Sequence, residues 1–333
     1  MIPLKSLDTI ISLLRDFDGI SRKFVIPNII HRLRDCSYNG DLPHSLGEDS
    51  AAIGTDCDDF VLLTTDAIVE ELCVNHPQAA GFNAVLANIM DIYAAGGVPT
   101  SFAVALSYSD AHLGDKLLQG LIDGSHTFRV PIVRGHTNPS SSSTYIVGSA
   151  TGTVNKENIL TAGGAETGDH LVLLFDPKGH RGEHYQLGWD AVTGRDSKEV
   201  IKRLSLMNVI AEEHLVHAAK DVSVAGMVGT AGMMLEYSGR GGIVDIDIID
   251  KHRPESVNLV DWLRMYISLG FLVAVSPEKA ARLSELAQEH SLFAVIIGTV
   301  DDTQKLCLKT GTEKQVMFDF SGGPLLTPRR TNK

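Results

Sequence analysis

The 333-residue chain holds only four cysteines, and no two of them form a CxxC pair. Cys36, Cys57, Cys73 and Cys307 lack the spacing of a zinc site or a disulfide framework, so buried, reduced thiols of a cytoplasmic protein are the expectation. Basic residues are also short: 29 Lys and Arg against 41 Asp and Glu leave a formal charge of −12. Such a surface repels phosphate backbones and argues against nucleic-acid binding. A nucleotide stays admissible as a ligand, provided a divalent cation sits between the two anionic partners. No stretch of about 18 uncharged apolar residues exists to span a membrane. The opening segment MIPLKSLDTIISLLRDFDG lacks the basic start and cleavage site of a secretory signal. GxxxxGK(S/T), a strand-linked GxGxxG and GxSxG are all missing, which sets aside the usual phosphate loops and a nucleophile-elbow hydrolase. No repeat of roughly 20–50 residues is visible, so a solenoid is excluded.

What is present fits a folded protein of two domains. Hydrophobic residues make up 44% and charged residues 21%, and the length exceeds what one core usually serves. Leu7, Ile10, Ile11 and Leu14 repeat at helical spacing, as do Ile29, Ile30 and Leu33, with GISRKFVIP between them reading as an extended or looped stretch. FVLLTTD reads as a strand, residues 78–95 as a long helix ended by Gly96, Gly97 and Pro99, TSFAVALSY as a buried strand and 113–128 as a helix. PIVRGHT and TYIVGSATGTV follow as strands around NPSSSS. At GGAETGDHLVLLFD the pattern restarts, which places the boundary between domains 1–155 and 156–333. The second half reads as a helix over 198–217, a turn at 221–226, a helix to Tyr237 and the strand GGIVDIDI. Strand FLVAV, helix 277–290, strand FAVIIGTV and a hairpin complete it. Strands and helices mix without strict alternation, so the fold class is α+β.

Four segments set an aspartate where an element gives way to a turn: Gly47-Glu48-Asp49-Ser50, Thr64-Thr65-Asp66, Asn88-Ile89-Met90-Asp91 and Lys220-Asp221-Val222-Ser223. Each alone is ordinary turn or capping chemistry. Together they could converge on Mg²⁺, which takes carboxylate oxygens along with water and phosphate. A nucleoside triphosphate brings about four negative charges, so several carboxylates with more than one cation is a sensible balance. Asp91 stands out, because it closes a largely apolar helix where an unpaired charge is costly. Arg134-Gly135-His136-Thr137-Asn138-Pro139 reads as a strand end passing into a Ser-rich loop, either a phosphate cradle or a plain polar surface. Of the 13 histidines, His180 and His184 lie four apart, and His214 and His217 three apart on an expected helix. Without HExxH or a Cys/His cluster, solvated or capped histidines outweigh a zinc hydrolase.

The four acidic segments, in this order, resemble the superfamily of aminoimidazole ribonucleotide (AIR) synthetase, thiamine-monophosphate kinase, selenophosphate synthetase and the hydrogenase-maturation dehydratase. GEDSAAI is similar to the family's Gly-Asp-Asp-Ala-Ala-Val, LLTTDAIVE to its Thr-Thr-Asp segment, and NAVLANIMDIYAAGGVPTSFAVAL to its long helix motif ending in Gly-Gly-x-Pro. RGHTN and the stretch from Leu206 to Gly239 resemble selenophosphate synthetase most. The resemblance implies a two-domain PurM-like fold, use of ATP with Mg²⁺, a small-molecule acceptor, and a homodimer whose N-terminal domains pair into a β-barrel. It also implies that Asp49, Asp91 and Asp221 hold magnesium. Gly47, Glu48, Asp66, Asn88 and the loop Gly135, His136, Thr137 and Asn138 would contact ATP, with Lys23 as the phosphate-contacting catalytic residue.

Departures are equally specific. No cysteine precedes Cys36, so the catalytic Cys of selenophosphate synthetase is missing and selenium chemistry is not expected. Ser268-Leu269-Gly270 stands where the family has Ser-Gly-Gly, so the acceptor loop differs. The expectation is an AIR synthetase-related, ATP- and Mg²⁺-dependent phosphotransferase or ligase. Its acceptor would bind between the domains near HRGEHYQLGW, read as a loop over 180–189. The alternative is a nucleotide-binding sensor or scaffold that has kept the fold without the chemistry.

Overall fold

The computed structural model describes residues 6–38, 48–54 and 57–328. Helical segments open the chain: α1 (Leu7–Arg15), α2 (Asp18–Ser21), a 3-10 turn (Arg22–Val25) and α3 (Ile26–Cys36). GISRKFVIP is therefore helical rather than extended. Gly19 and Ile20 are buried, and any side chain at Gly19 would overlap the Val224 carbonyl, so packing against the second half overrides local propensity. Pro27 in the first turn of α3 is compatible with a helix start.

The first half continues as β1 (Ala51–Gly54), β2 (Asp59–Ala67), α4 (Glu70–Asn75), α5 (Pro77–Ala94), β3 (Val98–Tyr108), α6 (Ala111–Phe128), β4 (Ile132–Pro139) and β5 (Tyr145–Asn155). Its strands form one sheet in the order β1-β2-β5-β3-β4, with β4 parallel to β3 and the other pairs antiparallel. RGHTN is thus part of an edge strand rather than a loop, because β3 binds it in register as far as Pro139. α5 is apolar nearly all round, the signature of a helix enclosed on every side. It meets α6 through Gly81 and Gly120, where a side chain on either would overlap the other helix's backbone.

The second half comprises β6 (His170–Phe175), β7 (His180–Arg181), β8 (Gly188–Asp190), α7 (Ser197–Leu204), α8 (Leu206–Glu212), β9 (Ala218–Asp221), α9 (Gly226–Tyr237), β10 (Gly241–Asp245), α10 (Ile246–His252), α11 (Leu259–Arg264), β11 (Tyr266–Ile267), β12 (Phe271–Val275), α12 (Ala280–Glu289), β13 (Phe293–Asp301), β14 (Lys305–Thr310) and β15 (Glu313–Asp319). A seven-stranded sheet runs β15-β14-β10-β13-β6-β12-β9, and a small one runs β11-β8-β7. The fold is α+β, and among the described residues none of the three sheets closes into a barrel within the chain.

Three further expectations change. The helix over 198–217 divides between α7 and α8 and ends at Glu212, so His214 and His217 lie beyond it. GGIVDIDI divides at Asp245, whose carboxylate accepts from the backbone N–H groups of Asp247 and Ile248 and starts α10. Cys73 and Cys307 are buried as thiols, but Cys36 and Cys57 are exposed.

The pleat of the large sheet sorts its side chains into two cores. Val172 and Leu174 of β6, with Phe271, Val273 and Val275 of β12, join the core that also contains α5, α7 and α8. The alternate residues Leu171, Leu173, Phe175, Leu272 and Ala274 join a second core with α9 and α1. Arg15 ties α1 to β15 by donating from Nε to the Met317 carbonyl at 2.9 Å. Among the described residues no helix is long and apolar enough to cross a membrane.

Candidate functional site

Three segments distant in sequence deliver one carboxylate each to a common point. Asp49 lies just ahead of β1, Asp91 sits one turn before the end of α5, and Asp221 is the last residue of β9. Their ligand oxygens lie within 4.8 Å of one another. Ser50 helps to set the first two, its hydroxyl donating to the Asp91 carbonyl at 3.0 Å. Asp221 is held by the pairing of β9 with β12, where it faces Phe271. Asp66, near the end of β2, stands beside Asp91 closely enough to raise its carboxyl.

The electrostatics are those of a site short of positive charge. Burial, then the charges of Asp66, Asp221 and Asp49, push the Asp91 carboxyl well above the ordinary carboxylate range. Burial, then Asp49, push Asp221 up to about 7 against the pull of Lys220. Lys220 is buried and ion-paired with Asp49, and its ammonium is pushed up by the surrounding aspartates despite its burial. Lys23, in the 3-10 turn, is pulled down by burial and by Lys220 while Asp221 and Asp49 push it up, which puts it beside the same cluster. Crowded carboxylates with perturbed protonation are costly to fold and mark functional sites more often than structural ones. Oxygen-only donors of this kind fit a hard cation such as Mg²⁺.

The remaining expected site residues divide. Gly47 lies outside the described residues. Glu48 accepts from the Ala162 backbone N–H at 2.6 Å, tying the first acidic motif to the segment entering the second half. Asn88 is fully buried, with Oδ1 accepting from the Thr64 hydroxyl at 2.6 Å and Nδ2 donating to the Ala84 carbonyl at 2.9 Å. It braces β2 against α5 rather than presenting a surface to a nucleotide. Gly135, His136, Thr137 and Asn138 are exposed along β4. Gly135 shares a row across the sheet with Val104, Gly148 and Asp66. Three strand spacings place it roughly 14 Å from Asp66, a reach that only an extended ligand covers.

The segment expected as a loop over 180–189 instead carries β7 and β8. It closes one side of a 410 Å³ cavity whose other side is α4, α5 and α6. Phe82, Asn83, Trp189, Asp190, Arg195 and Tyr266 are among the residues lining it. The histidine pairs do not assemble into a metal site among the described residues: His184 stacks on His76 with ring centroids 4.4 Å apart, and His217 bonds Asp169 at 2.9 Å. Two contributors escaped the sequence reading: Tyr266 sits in a two-residue strand, and nothing in the residues around Lys220 marks its burial. Leu269 adopts φ 57° while fully buried, a left-handed conformation where the family has glycine, so strain is built into the segment beside the cavity.

Residues 47–154 match the AIR synthase related protein N-terminal domain, and residues 162–310 match the AIR synthase related protein C-terminal domain. The chain belongs to this family. An uncharacterised protein of Methanocaldococcus jannaschii is 34% identical over 95% of this chain and 97% of its own length. The selenide, water dikinase of Pelobacter propionicus is 29% identical over 64% of this chain and 62% of its own. Among solved structures, Thermotoga maritima PurL complexed with AMPPCP superposes with a TM-score of 0.71 at 19% identity. That match covers 92% of this chain and 49% of PurL, so the chain spans about half the length of that relative.

Proposed function

We propose that the protein is an ATP- and Mg²⁺-dependent enzyme that transfers a phosphoryl group to a small molecule, or activates an amide or carbonyl oxygen by phosphorylating it. The observation that carries this reading is the meeting of Asp49, Asp91 and Asp221 within 4.8 Å. The AMPPCP complex of PurL and the name of the dikinase relative favour a nucleotide as the ligand. Magnesium held by the three aspartates would supply positive charge to the phosphate oxygens. Lys220 fixes Asp49 in place, and Lys23 adds a cation within reach of the phosphates. Glu48, Asp66 and the β4 residues 135–138 would frame the nucleotide, and the acceptor would occupy the cavity beside Trp189 and Tyr266. Rate would come from positioning and charge stabilisation rather than from a covalent intermediate on the protein. We keep the division into an ATP-binding domain at 1–155 and a second domain at 156–333, with a cytoplasmic location, as parts of the same proposal.

Millimolar ATP with Mg²⁺ should raise the melting temperature by several degrees and release phosphate slowly, and EDTA should abolish both. Absence of both effects removes the reading. Tight nucleotide binding without turnover across candidate acceptors favours the sensor or scaffold instead.

Two copies would pair through the open face of the N-terminal sheet, which leaves Leu63, Val98, Val133 and Tyr145 exposed. These apolar side chains are spread among hydroxyls such as Thr65, Ser101, Ser149 and Thr151, a mixed surface that suits a polar interface between copies. Sedimentation velocity at micromolar concentration should report a dimer, and a sharp monomer peak would reject the pairing.

A further inference from the structure

Tyr266 stands where the cavity meets the carboxylates. The Tyr266 N–H donates to the Leu187 carbonyl at 2.9 Å and the Ile267 N–H to the Val222 carbonyl at 3.0 Å. The residue is thereby pinned between β8 and the turn that follows Asp221. It lines the cavity, and its hydroxyl is buried without a hydrogen-bond partner among the described residues. Buried hydroxyls elsewhere in proteins are nearly always paired, and an unpaired one costs stability, so its retention points to a partner that arrives with a ligand.

We propose that the Tyr266 hydroxyl donates a hydrogen bond to a phosphoryl oxygen of the bound nucleotide, on the cavity side of the three aspartates, and is a catalytic residue of the transfer. This rests on the nucleotide reading above. The phenol lies in the field of Asp221, Asp91, Asp66 and Asp190, and burial together with those charges holds it well above its usual pKa, so it remains a donor. A neutral donor suits this place, since it can meet an anionic oxygen without adding charge of its own. A donor fixed by two backbone hydrogen bonds also needs no rearrangement as charge develops on the transferred group.

Tyr266→Phe removes only that oxygen, and calorimetric titration of the full-length protein tests the assignment. With Mg²⁺ present, the variant should bind AMPPCP within about twofold of the wild type. It should bind ADP with aluminium fluoride, a mimic of the group in transit, at least about tenfold more weakly. Its melting temperature should equal or exceed the wild-type value. Equal affinity for both ligands in the two proteins overturns the assignment. A lower melting temperature with both affinities reduced makes Tyr266 a structural residue and overturns it as well. A wild type that binds neither ligand overturns the nucleotide reading, and this inference with it.

Discussion

Asp91→Asn should raise the stability of the metal-free protein at pH 8 while reducing Mg²⁺-dependent ATP turnover by about 10²-fold or more. The two effects share one cause. In the metal-free protein Asp91 and Asp221 are forced together by the fold, and burial and mutual repulsion raise both above the ordinary carboxylate range. A carboxyl whose folded pKa is raised binds a proton in the native state that the unfolded chain has released. Stability therefore falls as pH rises from the unfolded value near 3.9 towards the folded one. For Asp221, with a folded value of about 7, the window runs from about pH 4 to 7 and the loss is of order 4 kcal/mol. Asp91, raised for the same reasons, adds to the decline. Asparagine keeps the shape and hydrogen bonding of Asp91 but never ionises, so the variant should show a flatter dependence of melting temperature on pH. At pH 8 a gain of roughly 4 °C is expected. Magnesium should flatten the wild-type curve in the same way, because binding requires the deprotonated ligands. Thermal melts from pH 5 to 8, with Mg²⁺ and with EDTA, make the comparison. A wild-type melting temperature that rises steadily through this range in EDTA would contradict the electrostatic account.

Asp176→Asn should cost about 3–5 kcal/mol and lower the melting temperature by roughly 8 °C, the largest stability loss expected from one polar substitution outside the carboxylate cluster. Asp176 directly follows β6 with its carboxylate almost wholly buried and accepts from Arg195 and Arg203, each at 2.8 Å. Arg203 is itself buried at 6% exposure. Without the carboxylate, two guanidinium groups are left in a poorly hydrated place with only the exposed Glu199, at 3.8 Å from Arg203 and 3.9 Å from Arg195, as opposite charge. The same residue's backbone carbonyl, which the change leaves in place, receives the Trp189 indole N–H at 2.8 Å. Guanidinium denaturation at two pH values gives the number. A loss below about 1 kcal/mol would mean that water already reaches the two arginines.

Much of this was written in the order of residues. The helical spacing of Leu7, Ile10, Ile11 and Leu14 matches their burial, and the apolar run through residues 78–95 matches α5. Asp49, Asp91 and Asp221 are singled out from the other acids only through the resemblance of their segments to a family's motifs. Their convergence itself needed the coordinates. What stayed hidden depends on partners far away in the chain. GISRKFVIP carries no helical stripe, and its helix follows from Gly19 fitting against Val224. Strands of two or three residues such as β7, β8 and β11 are too short to show a period. The Lys220–Asp221 pair looks like any charged surface dipeptide until β9 is known to be enclosed. Asn88, read as a ligand contact from its motif, serves the helix–sheet junction because a polar side chain at zero exposure is consumed by its neighbours.

The alternation of side chains along β6 and β12 carries a mechanical consequence. Both faces of that sheet are committed, one to the core shared with α5 and the other to α9 and α1. The halves cannot hinge apart like jaws without tearing apolar surface from a common wall. Were a small molecule to enter the cavity, the movement would fall to the short hairpin of β7 and β8 rather than to a swing of one half against the other.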